Sequence, residues 1–93
     1  MTPAELRALP AAPAPAALAA LWWQAHGDWA RAHEAAQADD GAAAAWVHAL
    51  LHREEGDLAN ADYWYRRAGK RRPDGALRDE WDAIAAALLA PDR

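Results

Sequence analysis

One complete helix, with its start and its stop, can be read from Gly56-Asp57-Leu58-Ala59-Asn60-Ala61-Asp62-Tyr63-Trp64-Tyr65-Arg66-Arg67-Ala68-Gly69-Lys70-Arg71-Arg72-Pro73. Gly56 suits the end of a preceding helix, because glycine adopts a left-handed backbone conformation without a Cβ clash. Asp57 can cap the next helix by accepting a hydrogen bond from a backbone N–H of its first turn. The basic residues at 70–72 suit the negative end of that helix, and Pro73 prevents its continuation. The apolar residues of one face recur at helical spacing: Leu58, Ala61, Tyr65 and Ala68.

Similar signals divide most of the chain into helices. Gly27-Asp28 repeats Gly56-Asp57 with a shift of 29 residues, which indicates an internal repeat. Three prolines in residues 10–15 exclude a helix there, so residues 1–15 are predicted to form a short N-terminal turn and an extended connector. We predict an all-α fold with a single helical domain over residues 16–90. It consists of one hairpin at 16–37, a second hairpin at 42–69 and a closing C-terminal helix at 75–89.

The remaining helix boundaries carry recognisable residues. Thr2 and Glu5 have the spacing of a capping box, with a proline at the first helical position. The aspartates of the turn at 38–41 can cap the helix that follows them. Asp74 is predicted to cap the closing helix, and Pro91 to end it.

The composition favours helices over strands. The chain has 93 residues, of which 29 are Ala and 10 are Leu, and it has one Val, one Ile and no Phe. A chain of this length forms one domain and buries only about 60–65% of its unfolded surface. Alanine adds little buried area, so the six Trp are expected to supply much of the core.

Charge and cysteine content restrict the class of protein. The net charge is −4, which gives no overall attraction to nucleic acid or to an anionic membrane. The absence of Cys removes disulfides, zinc thiolates and Cys nucleophiles, and it fits a reducing compartment. No apolar run is long enough for a membrane span, and the proline-interrupted N-terminus makes a poor signal peptide. We therefore predict a cytoplasmic protein without a cofactor.

The second hairpin resembles a tetratricopeptide repeat (TPR). That pattern places large, small and aromatic residues at fixed positions on two helices and ends in proline. The run Ala61-Asp62-Tyr63-Trp64-Tyr65-Arg66-Arg67-Ala68 is also similar to the second helix of the related Sel1-like repeat, which carries a Trp-Tyr pair. Two hairpins are fewer than a solenoid normally needs, so the closing helix or a second copy of the chain is expected to cover the exposed end. The matching positions are Ala45, His48, Ala49, His52, Ala61, Tyr65 and Pro73.

The resemblance implies a protein-binding groove. Trp46, Leu50 and Arg53 point away from the stripe formed by Ala45, Ala49 and His52, so they are predicted to line that groove. Families of this kind mostly bind other proteins, although a fold does not fix a function. The adjacent Trp22 and Trp23 diverge by about 100° around a helix, so at least one Trp of the chain is expected to reach the surface.

Two histidines form a candidate metal site. His48 and His52 stand at i and i+4 on one helix face, a spacing that lets two imidazoles reach one metal ion. His33 and Glu55 are candidates for further ligands. The alternative interpretation, which we prefer, is that both histidines fill the hairpin core and hydrogen bond internally. Two histidines alone do not complete a site that normally has three or four protein ligands.

A local basic cluster follows the aromatic residues of the second hairpin. Arg66, Arg67 and Arg71, with their basic neighbours, stand beside Tyr63 and Trp64. Cations beside stacking rings are used to bind single-stranded nucleic acid, but the chain lacks the overall basic charge of such proteins. An acidic protein or peptide partner fits the cluster better, and a simple solvated helix end is the alternative.

No catalytic arrangement can be read from the sequence, since it shows no Ser-His-Asp pattern, no Gly-rich phosphate loop and no carboxylate pair in an apolar setting. We therefore predict a small protein–protein interaction module without catalytic activity, with a homodimer as one form of that interaction. The first alternative is a metal- or small-ligand-binding protein that uses His48 and His52. The second alternative is a binder of an acidic partner or of nucleic acid through the cluster at 66–72.

Overall fold

A computed structural model describes residues 1–90 and shows an all-α protein, as predicted. No strand occurs within these residues, and none of their helices is long and apolar enough to cross a membrane. Pro91, the predicted end of the last helix, lies outside the described residues. The helices are α1 (Pro3–Ala8), α2 (Ala16–Ala25), α3 (Trp29–Gln37), α4 (Ala42–Glu54), α5 (Leu58–Ala68) and α6 (Leu77–Leu89).

The two predicted stop-and-start signals form the turns of two helix pairs. Gly27 and Gly56 have φ angles of +80° and +86°, values that favour glycine because other residues meet a Cβ clash there. Asp28 then accepts a hydrogen bond from the backbone N–H of Arg31, and Asp57 caps α5 in the same way. These local signals therefore place α2 beside α3 and α4 beside α5.

Two other predicted caps are wrong. Oδ1 of Asp39 accepts a hydrogen bond from the N–H of Gly41, two residues on, and so closes a turn before α4 without capping it. Asp74 does not cap α6 either, because that helix begins at Leu77 after the extended Ala76. The carbonyl of Gly75 instead accepts a hydrogen bond from the guanidinium of Arg53 on α4. This contact holds the segment outside the helix.

The main core lies between α2, α4 and α6. Three indole N–H groups donate to backbone carbonyls across helix boundaries: Trp22 to Leu9, Trp29 to Leu51, and Trp81 to Leu21. Buried Trp rings therefore satisfy their polar atom while they fill space between small alanines. The fully buried large side chains are Leu6, Leu21, Val47, Leu50, Leu51, Tyr65 and Ile84.

The N-terminal segment is part of this core, which corrects the predicted boundary at residue 16. Leu6 of α1 is fully buried among core residues. Arg7 donates to Asp82 of α6 at 2.9 Å, and its guanidinium lies 4.6 Å from the ring centre of Trp81. The sequence could not show this contact, because it depends on where α6 packs.

Helix α6 covers the face of α4 that was predicted to be a partner groove. Leu50 has no exposed surface and belongs to the same buried cluster as Ile84 of α6. Arg53 Nη1 donates to Glu80 Oε1 of α6 at 2.8 Å. The assignment of Leu50 and Arg53 to a partner groove is therefore wrong, because the chain's own last helix occupies that face.

The contact between α4 and α5 has a smaller core of its own. Ala49 and Ala61 are fully buried there beside Tyr65, while Ala59, on another side of α5, is exposed. The small residues allow the two helices to approach closely. Ala61 and Tyr65 of the predicted stripe form this contact, whereas Leu58, its first member, is exposed.

Candidate functional site

Three histidines from two helices converge at the junction of α3, α4 and α5. His33 lies on α3, and His48 and His52 lie one turn apart on α4. One ring nitrogen from each of the three lies within 4.8 Å of the other two. His48 and His52 are 2% and 6% exposed, whereas His33 is half-buried. The structure therefore adds His33, named from the sequence as a candidate further ligand, to the predicted pair.

Side chains, and not backbone carbonyls, hold the rings of this cluster. Nε2 of His33 and Nε2 of His48 are 3.0 Å apart, so one donates a hydrogen to the other. Nδ1 of His52 lies 2.6 Å from Oε1 of Glu55 and donates to that carboxylate. The other ring nitrogen of His52, Nε2, is not hydrogen bonded to Glu55. Glu55 was a candidate ligand in the sequence, and the structure places it behind His52.

Two tryptophans stack on rings of the cluster. Trp29 stacks on His33 with ring centres 4.8 Å apart, and Trp64 of α5 stacks on His48 at 3.9 Å. Both stacks are nearly parallel, with interplanar angles of 10° and 13°. The rings are therefore held in place and shielded from water on their faces.

Two imidazoles of the cluster favour the uncharged form. Burial, with smaller contributions from the nearby His33 and His52, lowers the pKa of His48 to about 4. Burial also lowers the pKa of His33, with a smaller contribution from His52, while Glu55 opposes that shift. At neutral pH, His48 and His33 therefore present a lone pair and a single N–H each.

A surface pocket of about 170 Å³ reaches His48 between α3, α4 and α5. Ala36, Ala45, Trp64 and Arg67 line it together with His48. A small solute or a hydrated ion therefore has a route to the cluster. Imidazole nitrogens in this arrangement can bind a transition-metal cation, or they can pair with one another as a polar core.

A second set of three groups that could bind a cation is weaker. His52, Glu55 and Asp57 bring ligand atoms within 4.8 Å of one another, but both acidic residues are exposed. Asp57 already accepts the capping hydrogen bond of α5. This set shares His52 with the histidine cluster, but its other two residues lie at the surface.

The predicted basic cluster lies at the carboxyl end of α5 and on the loop after it. Arg67 lies over two rings, 5.1 Å from the centre of Trp64 and 5.9 Å from that of Tyr63. Nζ of Lys70 lies 4.3 Å from the ring centre of Trp46. Cations above aromatic faces at these distances are attracted by the ring quadrupole. Tyr63 is itself 45% exposed, so cation and ring are both presented to solvent.

Most cations of this cluster lack an acidic partner. Within residues 1–90, no carboxylate forms an ion pair with Arg66, Arg67, Lys70 or Arg71. Arg72 is the exception, because it binds Asp62 at 2.9 Å and so lowers the pKa of that carboxyl. The predicted partner residues Arg66, Arg67 and Arg71 are also exposed to solvent, and Trp46 and Trp64 are half-buried.

A buried polar group links the last three helices and was not found from the sequence. Both oxygens of Glu80 are used: one accepts from Arg53 at 2.8 Å, and the other accepts from the hydroxyl of Tyr65 at 2.5 Å. Burial raises the pKa of Tyr65 well above its usual range, and the Glu80 carboxylate adds to the effect. In the sequence Glu80 follows Asp79 in an acidic first turn of α6, so only its contacts with α4 and α5 show this role.

Comparisons with protein-family models, with curated proteins and with solved structures give no match to this chain. The resemblance of the second hairpin to TPR and Sel1-like repeats therefore stays a prediction from the sequence.

Proposed function

We propose that this chain is a protein-interaction module without catalytic activity, which binds an acidic segment of another protein through the carboxyl end of α5. The observation that carries the proposal is a group of exposed cations that form no ion pair within the described part of the chain, two of which, Arg67 and Lys70, lie over aromatic rings. Trp and Arg are the residues most enriched where binding energy concentrates in interfaces. We call this surface, formed by Trp46, Tyr63, Trp64, Arg66, Arg67, Lys70 and Arg71, the cationic–aromatic surface.

The chemistry of the surface favours an acidic partner. Four cations that form no ion pair with any carboxylate of residues 1–90 attract carboxylates and steer their approach. Asp39 and Asp40 border the pocket beside Trp64, and they would repel carboxylates that entered it. The partner is therefore expected to contact the outer row of cations and to lay apolar or aromatic groups on Tyr63 and Trp64.

The proposal keeps the TPR-like interpretation of the hairpin and changes the binding face. Ala49 and Ala61 at the helix contact, with Tyr65 beside them, support the repeat-like packing of α4 on α5. Since α6 fills the inner face of α4, binding is assigned to α5. A cytoplasmic location is part of this proposal, supported by a sequence without Cys that suits a reducing compartment.

The test is a comparison of three immobilised chains in a nuclease-treated lysate of the native host. The wild type is compared with the triple variant Arg66→Gln, Arg67→Gln, Arg71→Gln. The control is Arg31→Gln with Arg78→Gln, which removes two exposed cations that lie elsewhere. Proteins with acidic segments that bind the wild type and the control, but not the triple variant, support the proposal.

Two other results would contradict it. Equal capture by all three chains would show that the cations are only a solvated helix end. Binding of a single-stranded oligonucleotide would favour a nucleic-acid partner, if the logarithm of its association constant declines steeply with the logarithm of the salt concentration and the triple variant reduces that slope.

Sedimentation velocity on the same three chains tests for a homodimer. Self-association of the wild type and the control, but not of the triple variant, would identify a second copy of the chain as the partner.

A further inference from the structure

We propose that His33, His48 and His52 form a binding site for one divalent transition-metal cation of the zinc class. The geometry is the first reason. Nitrogens of a tetrahedral zinc site with Zn–N bonds of 2.0–2.1 Å lie about 3.3 Å apart. Nε2 of His33 and Nε2 of His48 are 3.0 Å apart, and a nitrogen of His52 lies within 4.8 Å of both. Binding of one cation would require the His33–His48 distance to lengthen slightly and the His52 nitrogen to lie at a similar distance from both.

The hydrogen bonds of the cluster differ from those of a structural histidine in the same chain. His26 stacks on Trp22, and its Nε2 is hydrogen bonded to the backbone carbonyl of Arg7 at 2.9 Å. Side-chain hydrogen bonds in proteins mostly go to backbone or water in this way. In the cluster, each of the three rings instead pairs with another side chain, and ring nitrogens of different residues face one another.

Glu55 supplies the support that metal-bound histidines usually have. A histidine ligand commonly donates its second ring N–H to a carboxylate, which fixes the tautomer and orients the ring. The hydrogen bond from His52 Nδ1 to Glu55 Oε1 at 2.6 Å leaves Nε2 of His52 for a cation. The stacks of Trp29 on His33 and Trp64 on His48 hold the other two rings.

The donor set defines the cation and its surroundings. Three imidazole nitrogens suit zinc, nickel, cobalt and copper ions, and they do not suit magnesium or calcium, which prefer oxygen ligands. Three protein ligands leave one coordination position for water or a small anion. The pocket that His48 and Arg67 help to line gives that position access to solvent.

The test uses the untagged full chain, stripped with a chelator and titrated with zinc chloride by calorimetry. We expect one zinc ion per chain in the wild type, together with a rise in melting temperature. His33→Gln and His52→Gln should each weaken zinc binding at least 10-fold, and Glu55→Gln should weaken it about 10- to 100-fold. The matched control is His26→Gln, which should bind zinc as the wild type does.

Cobalt chloride provides a second readout that does not depend on stability. A four-coordinate cobalt site absorbs strongly in the visible range, so the wild type and His26→Gln should give this band and His33→Gln should lose it. His33 is half-buried at the edge of the cluster, so His33→Gln is the variant most able to keep its fold, which circular dichroism checks. Absence of zinc binding by the wild type would overturn the proposal. Undiminished binding in His33→Gln would do the same, because it would move the cation to His52, Glu55 and Asp57.

Discussion

At the scale of single residues, burial decides which polar groups carry charge. His48 is almost fully buried beside two other imidazoles, and its pKa is lowered to about 4. A histidine that resists protonation in the folded state binds fewer protons than it does in the unfolded chain, where its pKa is about 6.5. His48 therefore makes the folded protein less stable as the pH falls below about 6.5.

We predict that the metal-free protein loses stability as the pH falls from 7 to 5. Above pH 6.5, His48 is neutral in both states and the full stability is present. Between pH 6.5 and about 4, His48 is mostly protonated in the unfolded chain and mostly neutral in the folded chain, so the free energy of unfolding falls as the pH falls. At about 1.4 kcal/mol per pKa unit, the loss by pH 5 is about 2 kcal/mol. Urea denaturation with chelator present measures it.

The control for this prediction is His48→Gln, which cannot protonate. Its stability should change less between pH 7 and pH 5 than that of the wild type, because only His33 and the other titratable groups remain. The acidic Asp39 and Asp40 at the pocket and the cation Arg67 are unchanged in the variant. The same pH dependence in both proteins would assign the effect to other groups.

We also predict a large cost for Glu80→Gln. The substitution leaves the guanidinium of Arg53, which is 15% exposed, without its carboxylate. An uncompensated buried charge costs about 3–5 kcal/mol. Glu54→Gln is the control, because Glu54 is exposed and only accepts a long hydrogen bond from Gln24, so it should cost below about 0.5 kcal/mol. Equal urea midpoints for the two variants would refute the role given to Glu80.

At the scale of helices, each hairpin is fixed by its turn and by one close contact. Gly56 and Asp57 end α4 and begin α5, so the two helices fold back on each other. Their contact then depends on small side chains, of which Ala61 has no exposed surface. The local signals set the ends of the helices, and the size of the side chains sets how closely they approach.

Ala61→Leu is expected to destabilise the protein by about 1–3 kcal/mol, because three added carbons must displace packed neighbours between α4 and α5. Ala59→Leu adds the same atoms to an exposed position of α5 and should change stability by less than about 0.5 kcal/mol. Urea melts of both variants make the comparison. A similar loss at both positions would show that α5 does not pack on α4 through Ala61.

At the scale of the whole molecule, α6 determines which surfaces are available to a partner. It packs on α1, α2 and α4, and it leaves the outer side of α5 uncovered. The part of the predicted groove face formed by Leu50 and Arg53 is therefore internal, whereas Trp46 stays half-buried at the surface. The cations at the carboxyl end of α5 stay on the surface beside Tyr63 and Trp64, where they can contact another chain.

Replacing Arg66, Arg67 and Arg71 by Gln should slow association with an acidic partner and leave dissociation nearly unchanged. Exposed charges at the rim of an interface mainly steer the encounter, and salt screens this effect. The urea midpoint should stay that of the wild type, since these side chains are exposed and form no ion pair within residues 1–90. Stopped-flow or surface-based kinetics at low and high salt measure it. An unchanged association rate at low salt would contradict the proposed surface.

The all-α class and the turns at Gly27 and Gly56 can be read from the sequence alone. These features depend on hydrogen bonds and side-chain spacings within one or two turns of the chain, so a short stretch contains all the information they need. The pairing of Ala61 with α4 also follows, because a three-residue connection leaves adjacent helices few other ways to pack.

The contacts between distant parts of the chain depend on how whole helices pack together. The direction in which α6 returns buries Leu50, pairs Arg53 with Glu80 and brings Leu6 into the core. The approach of α3 to α4 adds His33 to the histidine pair. These contacts join residues 15 or more positions apart, and their free energy depends on how whole helices fit together, which no local pattern encodes.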